Sequence, residues 1–158
     1  PMGAGEKTIV TNRPARRDYE VLDTVEAGIA LQGTEVKTLR TTGSIQLKDS
    51  YADIIAGEMY LVGAHISPYA QGNINNHKPE RRRKLLLHKQ QILKLGQRAA
   101  EKGLTLVPLR LYFKHGRVKV EVGVCRGKKT FEKRETIKER ESKREIERAM
   151  KTARGARK

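Results

Sequence analysis

Three short basic runs stand out: Asn12-Arg13-Pro14-Ala15-Arg16-Arg17, Arg81-Arg82-Arg83-Lys84 and Arg126-Gly127-Lys128-Lys129. Guanidinium and ammonium groups clustered this way contact phosphates and release their counterions. Arg planes also stack on unpaired bases. One such run alone reads as an ordinary solvated surface. Three of them, followed by a basic C-terminal segment, point to a polyanionic partner. The 158-residue chain holds 34 Lys/Arg against 18 Asp/Glu, a net charge of +16. Self-repulsion at that charge opposes compaction unless a polyanion offsets it, and nucleic acid is the first candidate.

Bond-making chemistry has no comparable signal. There is no Ser/His/Asp arrangement, nucleotide-binding glycine motif or HExxH. Glu26, Glu35, Asp49 and Asp53 are scattered, whereas a phosphodiesterase needs acids converging on metal ions. His65, His77, His88 and His115 lack metal-ligand spacing, so no metal and no cofactor is expected. Cys125 is the single cysteine; it allows no internal disulfide and reads as a buried, inert thiol near a strand end. The expectation is a binding protein, not an enzyme. No apolar run approaches the ~18 residues of a membrane span. The segment PMGAGEKTIV lacks the pattern of a signal peptide, and the single thiol fits a reducing cytoplasm. A membrane surface is left as the second candidate polyanion.

The elements that must position these runs are mostly strands. Tyr19, Val21, Val25, Ala27, Ile29 and Leu31 alternate with period 2, the mark of a half-buried strand, and Gly28 allows a bulge or bend in it. Gly33-Thr34 opens a short helix with Val36 and Leu39 on one side and Gly43 as its stop. Strands are predicted over Leu47–Ile55 and Met59–Ile66 around a tight turn at Ala56-Gly57-Glu58. Residues 67–83 read as a loop. Leu85-Leu86-Leu87 is a short extended run, and a helix follows from about His88 with Ile92, Leu95 and Ala99 facing the core. The clearest hairpin joins Leu104–Phe113 to Arg117–Val124 through His115-Gly116. Pro108 places its strand at an edge or a bulge. Several strands with two interposed helices predict a mainly β, oligonucleotide-binding-type barrel. With no helix-turn-helix or zinc finger, RNA is favoured over DNA.

Residues 126–158 hold 14 Lys/Arg and 6 Asp/Glu, so about a fifth of the chain carries half its net charge. This predicts a flexible N-terminus over 1–11, an RNA-binding barrel over 12–126 and a basic tail over 127–158. Ile146, Ala149, Met150 and Ala153 give the tail one narrow apolar stripe, which leaves a helix marginal until a partner covers it. Glu26 reads as a solvated acid that can also orient an Arg or accept from a base edge. Leu86 by type reads as core more than contact.

The runs NRPARRDYEVLDTVEAGIALQGTEVKTLR, RKLLLHKQQI, LTLVPLRLYF and GVCRGKKTFEKR together resemble the small protein B family, the bacterial SsrA-binding proteins. The resemblance runs from about Asn12 to the end of the chain. It implies a barrel that binds the tRNA-like part of transfer-messenger RNA and brings it to stalled ribosomes for trans-translation. It also implies elongation factor Tu as a partner through the charged RNA, a monomeric protein, and no catalysis. By motif it implies RNA contacts at Asn12, Glu26, Leu86 and Lys84, and the basic runs add Arg13, Arg16, Arg17, Lys128 and Lys129 as candidate RNA contacts. Arg17 stands where the family usually has His. The tail is implied to enter the vacant mRNA channel near the small-subunit decoding centre and to become helical there. Its implied rRNA contacts are Phe131, Glu132, Lys133, Arg134, Ile137, Lys138 and Met150. Phe131 and Glu132 replace the His and Asp of the family's GKKxHDKR, so Phe131 can stack on a base but cannot hydrogen-bond. A structural ribosomal protein and an RNA-processing enzyme are the competing readings. Presence on all ribosomes would mark the first, and metal-dependent RNA cleavage the second.

Overall fold

The computed structural model describes residues 5–72, 76–101 and 103–128. In chain order the elements are β1 (Glu6–Thr11), α1 (Arg13–Asp18), β2 (Tyr19–Ile29), α2 (Gly33–Thr41), β3 (Ile45–Gln46), β4 (Tyr51–Ile55), β5 (Glu58–Val62), β6 (His65–Ile66), β7 (Arg83–Leu86), α3 (Lys89–Ala99), β8 (Leu104–Lys114) and β9 (Arg117–Gly127). Seven strands form one sheet in the order β1-β8-β9-β2-β7-β5-β4, while β3 and β6 pair separately. The large sheet curls, so that β4, last in the order, packs close to β8. This is the expected oligonucleotide-binding-like β fold. Its interior is filled by inward side chains such as Met59, Leu61, Leu85, Leu111, Val120 and Val122, all essentially inaccessible.

Local sequence explains most of these elements. Both tight hairpins carry positive φ at their two central residues: Ala56 (51°) with Gly57 (78°), and His115 (51°) with Gly116 (76°). Such turns match the right-handed twist of the strands they join. Gly43, at φ 62°, ends α2 and donates its N–H to Thr38 O at 3.0 Å. Along β9, Val118, Val120, Val122 and Val124 point inward and alternate with the partly exposed Lys119 and Glu121. A bulge lies between Pro108 and Arg110, and β1 pairs with β8 only from Arg110 onward. Pro108, which has no N–H to give, therefore sits where one neighbour strand has ended.

Three expectations are corrected. Glu6–Thr11 is not a flexible lead but strand β1, antiparallel to β8; its half-buried Ile9 and Val10 pack on the main core. The strand expected over Leu47–Ile55 begins only at Tyr51. Ser50 folds back on Leu47 O through its N–H (3.0 Å) and hydroxyl (2.5 Å), and Asp49 takes φ 63°. A third helix, α1, joins the two expected. Residues Pro1–Arg126 form one compact unit; of the segment 127–158, only Gly127 and Lys128 are among the described residues.

Candidate RNA interface

Asn12 is buried at 4% exposure and caps α1. Its Oδ1 accepts from Ala15 N–H at 3.3 Å. Its Nδ2 donates to Pro108 O at 2.8 Å and to Leu47 O at 3.4 Å, and its backbone N–H donates to Leu109 O at 2.8 Å. The side chain is thus a bolt between α1, β8 and the turn at Leu47. Pro14 falls in the first turn, where a missing N–H costs nothing. Six residues give the helix little stability of its own, so this bolt and buried Ala15 must hold it. What the helix presents is cationic. Arg13 is exposed, Arg16 pairs with Glu121 at 3.3 Å, and Arg17 pairs with the adjacent Asp18 at 3.1 Å.

A second group lies on the outer face of β2, β7, β8 and β9. In β7, Arg83 and Leu85 point inward while Lys84 and Leu86 point outward. Leu86 is therefore a contact-type residue at 51% exposure, and its neighbour Leu85 supplies the core. Gly28 pairs opposite Leu86. A Cβ on Gly28 would lie 3.2 Å from Leu86 Cβ, so the glycine lets Leu86 pack against the bare backbone. Around them opens a cleft of about 450 Å³, lined by Gly28, Leu31, Leu86, Arg117 and Lys119 among others. Lys84 reaches Glu58 at 3.3 Å and is otherwise half exposed.

Glu26 stands on the same face. Its Oε2 accepts from the Tyr112 hydroxyl, and from Lys114 Nζ at 3.2 Å. The Tyr112 bond is the main reason its carboxyl sits below the ordinary range. Partial burial opposes this, while Lys114 and Lys119 reinforce it. Burial, and then Glu26 itself, pushes the Tyr112 phenol above its usual value. Glu26 remains ionised near neutrality and organises two neighbours on the sheet.

The run Arg81-Arg82-Arg83-Lys84 is sorted by the fold, which corrects its reading as one solvent-facing cluster. Arg83 is fully buried and its Nε donates to Glu35 Oε2 at 2.5 Å. Its Nη atoms donate to Ala64 O (3.0 Å), Arg81 O (3.0 Å) and Pro79 O (2.9 Å). Arg81 clamps the same carboxylate, with Nη2 2.5 Å from Oε1. Only Arg82 and Lys84 are exposed; the Arg82 guanidinium lies 4.9 Å from the Tyr60 ring centroid. Burial raises the Glu35 carboxyl, but the bonds from Arg81, Gln32 N–H and Arg83 outweigh it and hold the carboxyl low.

Lys128 is half-buried at the last described position. Lys129, Phe131, Glu132, Lys133, Arg134, Ile137, Lys138 and Met150 lie outside the described residues. Arg117 and Lys119 were not singled out from the sequence. Their signal was the polar half of the β9 alternation, which says "outward" without saying which cleft it borders. Among the described residues no three His, Cys, Asp or Glu converge as metal ligands. Burial pushes the Cys125 thiol up to about 11. No helix of the described residues is long and apolar enough to cross a membrane.

A capped cationic helix, an outward leucine beside a glycine, and a cleft edged by Arg117 and Lys119 suit a polyanion with exposed bases. Residues 9–152 match the family model described as SmpB protein. The chain belongs to the SmpB protein family. It is 56% identical over 144 residues to the SsrA-binding protein of Staphylococcus epidermidis strain RP62A, covering 91% of this chain and 92% of that one. The SsrA-binding protein of Staphylococcus aureus strain Newman is also 56% identical, over 91% of this chain and 93% of its own. A solved structure from "tmRNA-SmpB: a journey to the center of the bacterial ribosome" superposes with a TM-score of 0.65. That match has 51% sequence identity and covers 77% of this chain and 85% of the other.

Proposed function

We propose that this protein binds SsrA, the transfer-messenger RNA, and delivers it to stalled ribosomes for trans-translation. The observation that carries this reading is 56% identity to an SsrA-binding protein along 91% of the chain, together with the outward placement of Lys84, Leu86 and Glu26 on one sheet face. The barrel over 12–126 holds the tRNA-like part of the RNA. Arg13, Arg16 and Arg17 supply phosphate contacts; Asn12 contributes through the helix it bolts, because its amide is already engaged. Leu86 and the cleft beside it take the less polar parts of the RNA surface. Lys128 and Lys129 continue the basic track into the tail. The tail, through Phe131, Glu132, Lys133, Arg134, Ile137, Lys138 and Met150, occupies the mRNA channel when messenger is absent. Phosphates there offset its charge and rRNA covers its apolar stripe. The protein acts as a cytoplasmic monomer, without catalysis, and meets elongation factor Tu through the charged RNA.

The test is a pair of measurements on the whole chain and on a chain ending at Arg126. Both should bind transfer-messenger RNA tightly, the short chain with a smaller salt slope for the loss of Lys128 and Lys129, because the barrel carries the other basic runs. Only the whole chain should support peptide tagging on ribosomes stalled without a stop codon. Loss of most RNA affinity in the short chain, or tagging by it, overturns this division of labour.

A further inference from the structure

The network behind Glu26 reaches well beyond the residues assigned above. Tyr112 is 2% exposed, yet its hydroxyl emerges at Glu26. It sits on β8 and Glu26 on β2, with β9 between them in the sheet. The phenol therefore reaches across β9 on the outer face, the face of Lys119, its own partner across the pair. The Arg110 guanidinium lies 4.0 Å from the Tyr112 ring centroid, close enough for a cation–π contact. Arg110 is fixed in turn. Its Nη2 meets Glu6 Oε2 at 3.1 Å and its Nε meets Glu121 Oε2 at 3.0 Å. Glu6 also approaches Lys114 Nζ at 3.9 Å, and Glu121 holds Arg16. A continuous chain of contacts thus joins α1, β1, β8, β9 and β2.

The geometry at its end is specific. The bonds from Tyr112 and Lys114 both land on Glu26 Oε2. Among the described residues Oε1 has no hydrogen-bond partner, and the side chain is 38% exposed. A carboxylate pinned by one oxygen presents the other in a fixed direction. An ionised oxygen with no partner of its own accepts from a neutral donor on RNA: a base amino group or a ribose 2′-hydroxyl. Phosphates offer no such donor.

We propose that Tyr112, seated by Arg110, is a positioning residue for RNA recognition: it fixes Glu26 so that Oε1 faces a donor on the RNA. The inference rests on the RNA-binding reading above. It explains how an acid on a basic surface favours binding to a polyanion. It also gives β1 a function, since Glu6 is one of the two carboxylates that hold Arg110.

Tyr112→Phe removes one oxygen and keeps the ring, the burial and the Arg110 contact. Losing a charge-assisted bond should weaken binding of transfer-messenger RNA by roughly three- to thirtyfold. Glu26→Ala should weaken it at least as much, although it removes a negative charge, and Tyr112→Phe should then add nothing in the Glu26→Ala background. A readout without RNA accompanies this: the Glu26 carboxyl, followed by carbon NMR, should titrate at higher pH in Tyr112→Phe than in the parent. Wild-type affinity in Tyr112→Phe overturns the proposal. So does a full Tyr112→Phe effect without Glu26, or an unmoved Glu26 titration. Failure of the parent itself to bind the RNA refutes the underlying reading and this inference with it; the other three outcomes refute the inference alone.

Discussion

Glu35→Gln tests the buried charge cluster that sorts Arg81–Lys84. Both Glu35 and Arg83 have inaccessible side chains. The carboxylate accepts from Gln32 N–H at 2.7 Å, from Arg81 and from Arg83. A glutamine has nearly the same volume but one acceptor oxygen, so its NH2 must face a guanidinium N–H. Arg83 then keeps only backbone carbonyls as partners for a buried charge. Breaking such a pair costs about 3–5 kcal/mol. Arg81 is 24% exposed, so solvent screens its share and the lower half of that range applies. At about 4 °C per kcal/mol for a unit of this size, Tm should fall by about 12–16 °C. Thermal unfolding by circular dichroism at neutral pH measures it. The pH dependence has a fixed sign. The folded carboxyl lies below its ordinary value of 4.5, so its contribution is present above that pH and is lost as pH falls through the depressed folded value. The gap between parent and variant must therefore narrow on acidification below 4.5. A second check is Arg83→Met, which should cost much less in the Glu35→Gln background than in the parent. A Tm drop under about 4 °C would mean that the cluster contributes no more than an exposed ion pair, and the argument would fail.

Two further outcomes follow from side-chain placement. Gly96 lies inside α3, where an added Cβ would come 3.2 Å from Ile54 Cδ1; Ile54 lines an open apolar groove and can shift, so Gly96→Ala should gain roughly 0.5–1 kcal/mol of helix propensity, read as a higher urea midpoint at unchanged slope. Arg82→Ala should weaken RNA binding and lower the slope of log affinity against log salt by about 1 with unchanged Tm, whereas Arg83→Ala should lower Tm by more than 10 °C; the reverse pattern would show that the run has been assigned to the wrong faces.

What the sequence made legible was what local spacing controls. Period-2 alternation marked β2 and β9, the Ala56-Gly57 and His115-Gly116 pairs marked hairpins, and Gly43 marked the end of α2. These signals involve residues within a turn or two of one another. β1 escaped because its partly buried residues, with a bulge near Ile9, break clean alternation. α1 escaped although Asn12 and Pro14 are start signals, because six residues show no helical period. The site divides the same way. That Leu86 faces out follows from alternation once its neighbour Leu85 is placed inside. The same alternation turns Arg83 inward with Leu85, but local spacing cannot show what lets a buried guanidinium sit there, because its partner Glu35 is 48 residues away. Glu26 is more remote still, 86 residues from Tyr112.

Net charge located the partner but not the surface. Residues 1–125 hold 20 Lys/Arg, and type alone makes each a candidate contact. The fold removes Arg83 into the core, gives Arg81 to the same carboxylate, and locks Arg110 between Glu6 and Glu121. Arg117 and the partly exposed Lys119, which line the cleft, mark that surface better than any charged run does. The acids carry the complementary information. A protein with an excess of cations does not need Glu6, Glu26 and Glu121 on that face to attract RNA, and each one weakens the field. Their arrangement as a connected set around Arg110 and Tyr112 makes sense if orientation at one point is worth more to recognition than one further unit of attraction. Phosphate contacts hold a polyanion in place, but only a fixed donor or acceptor can tell one RNA surface from another.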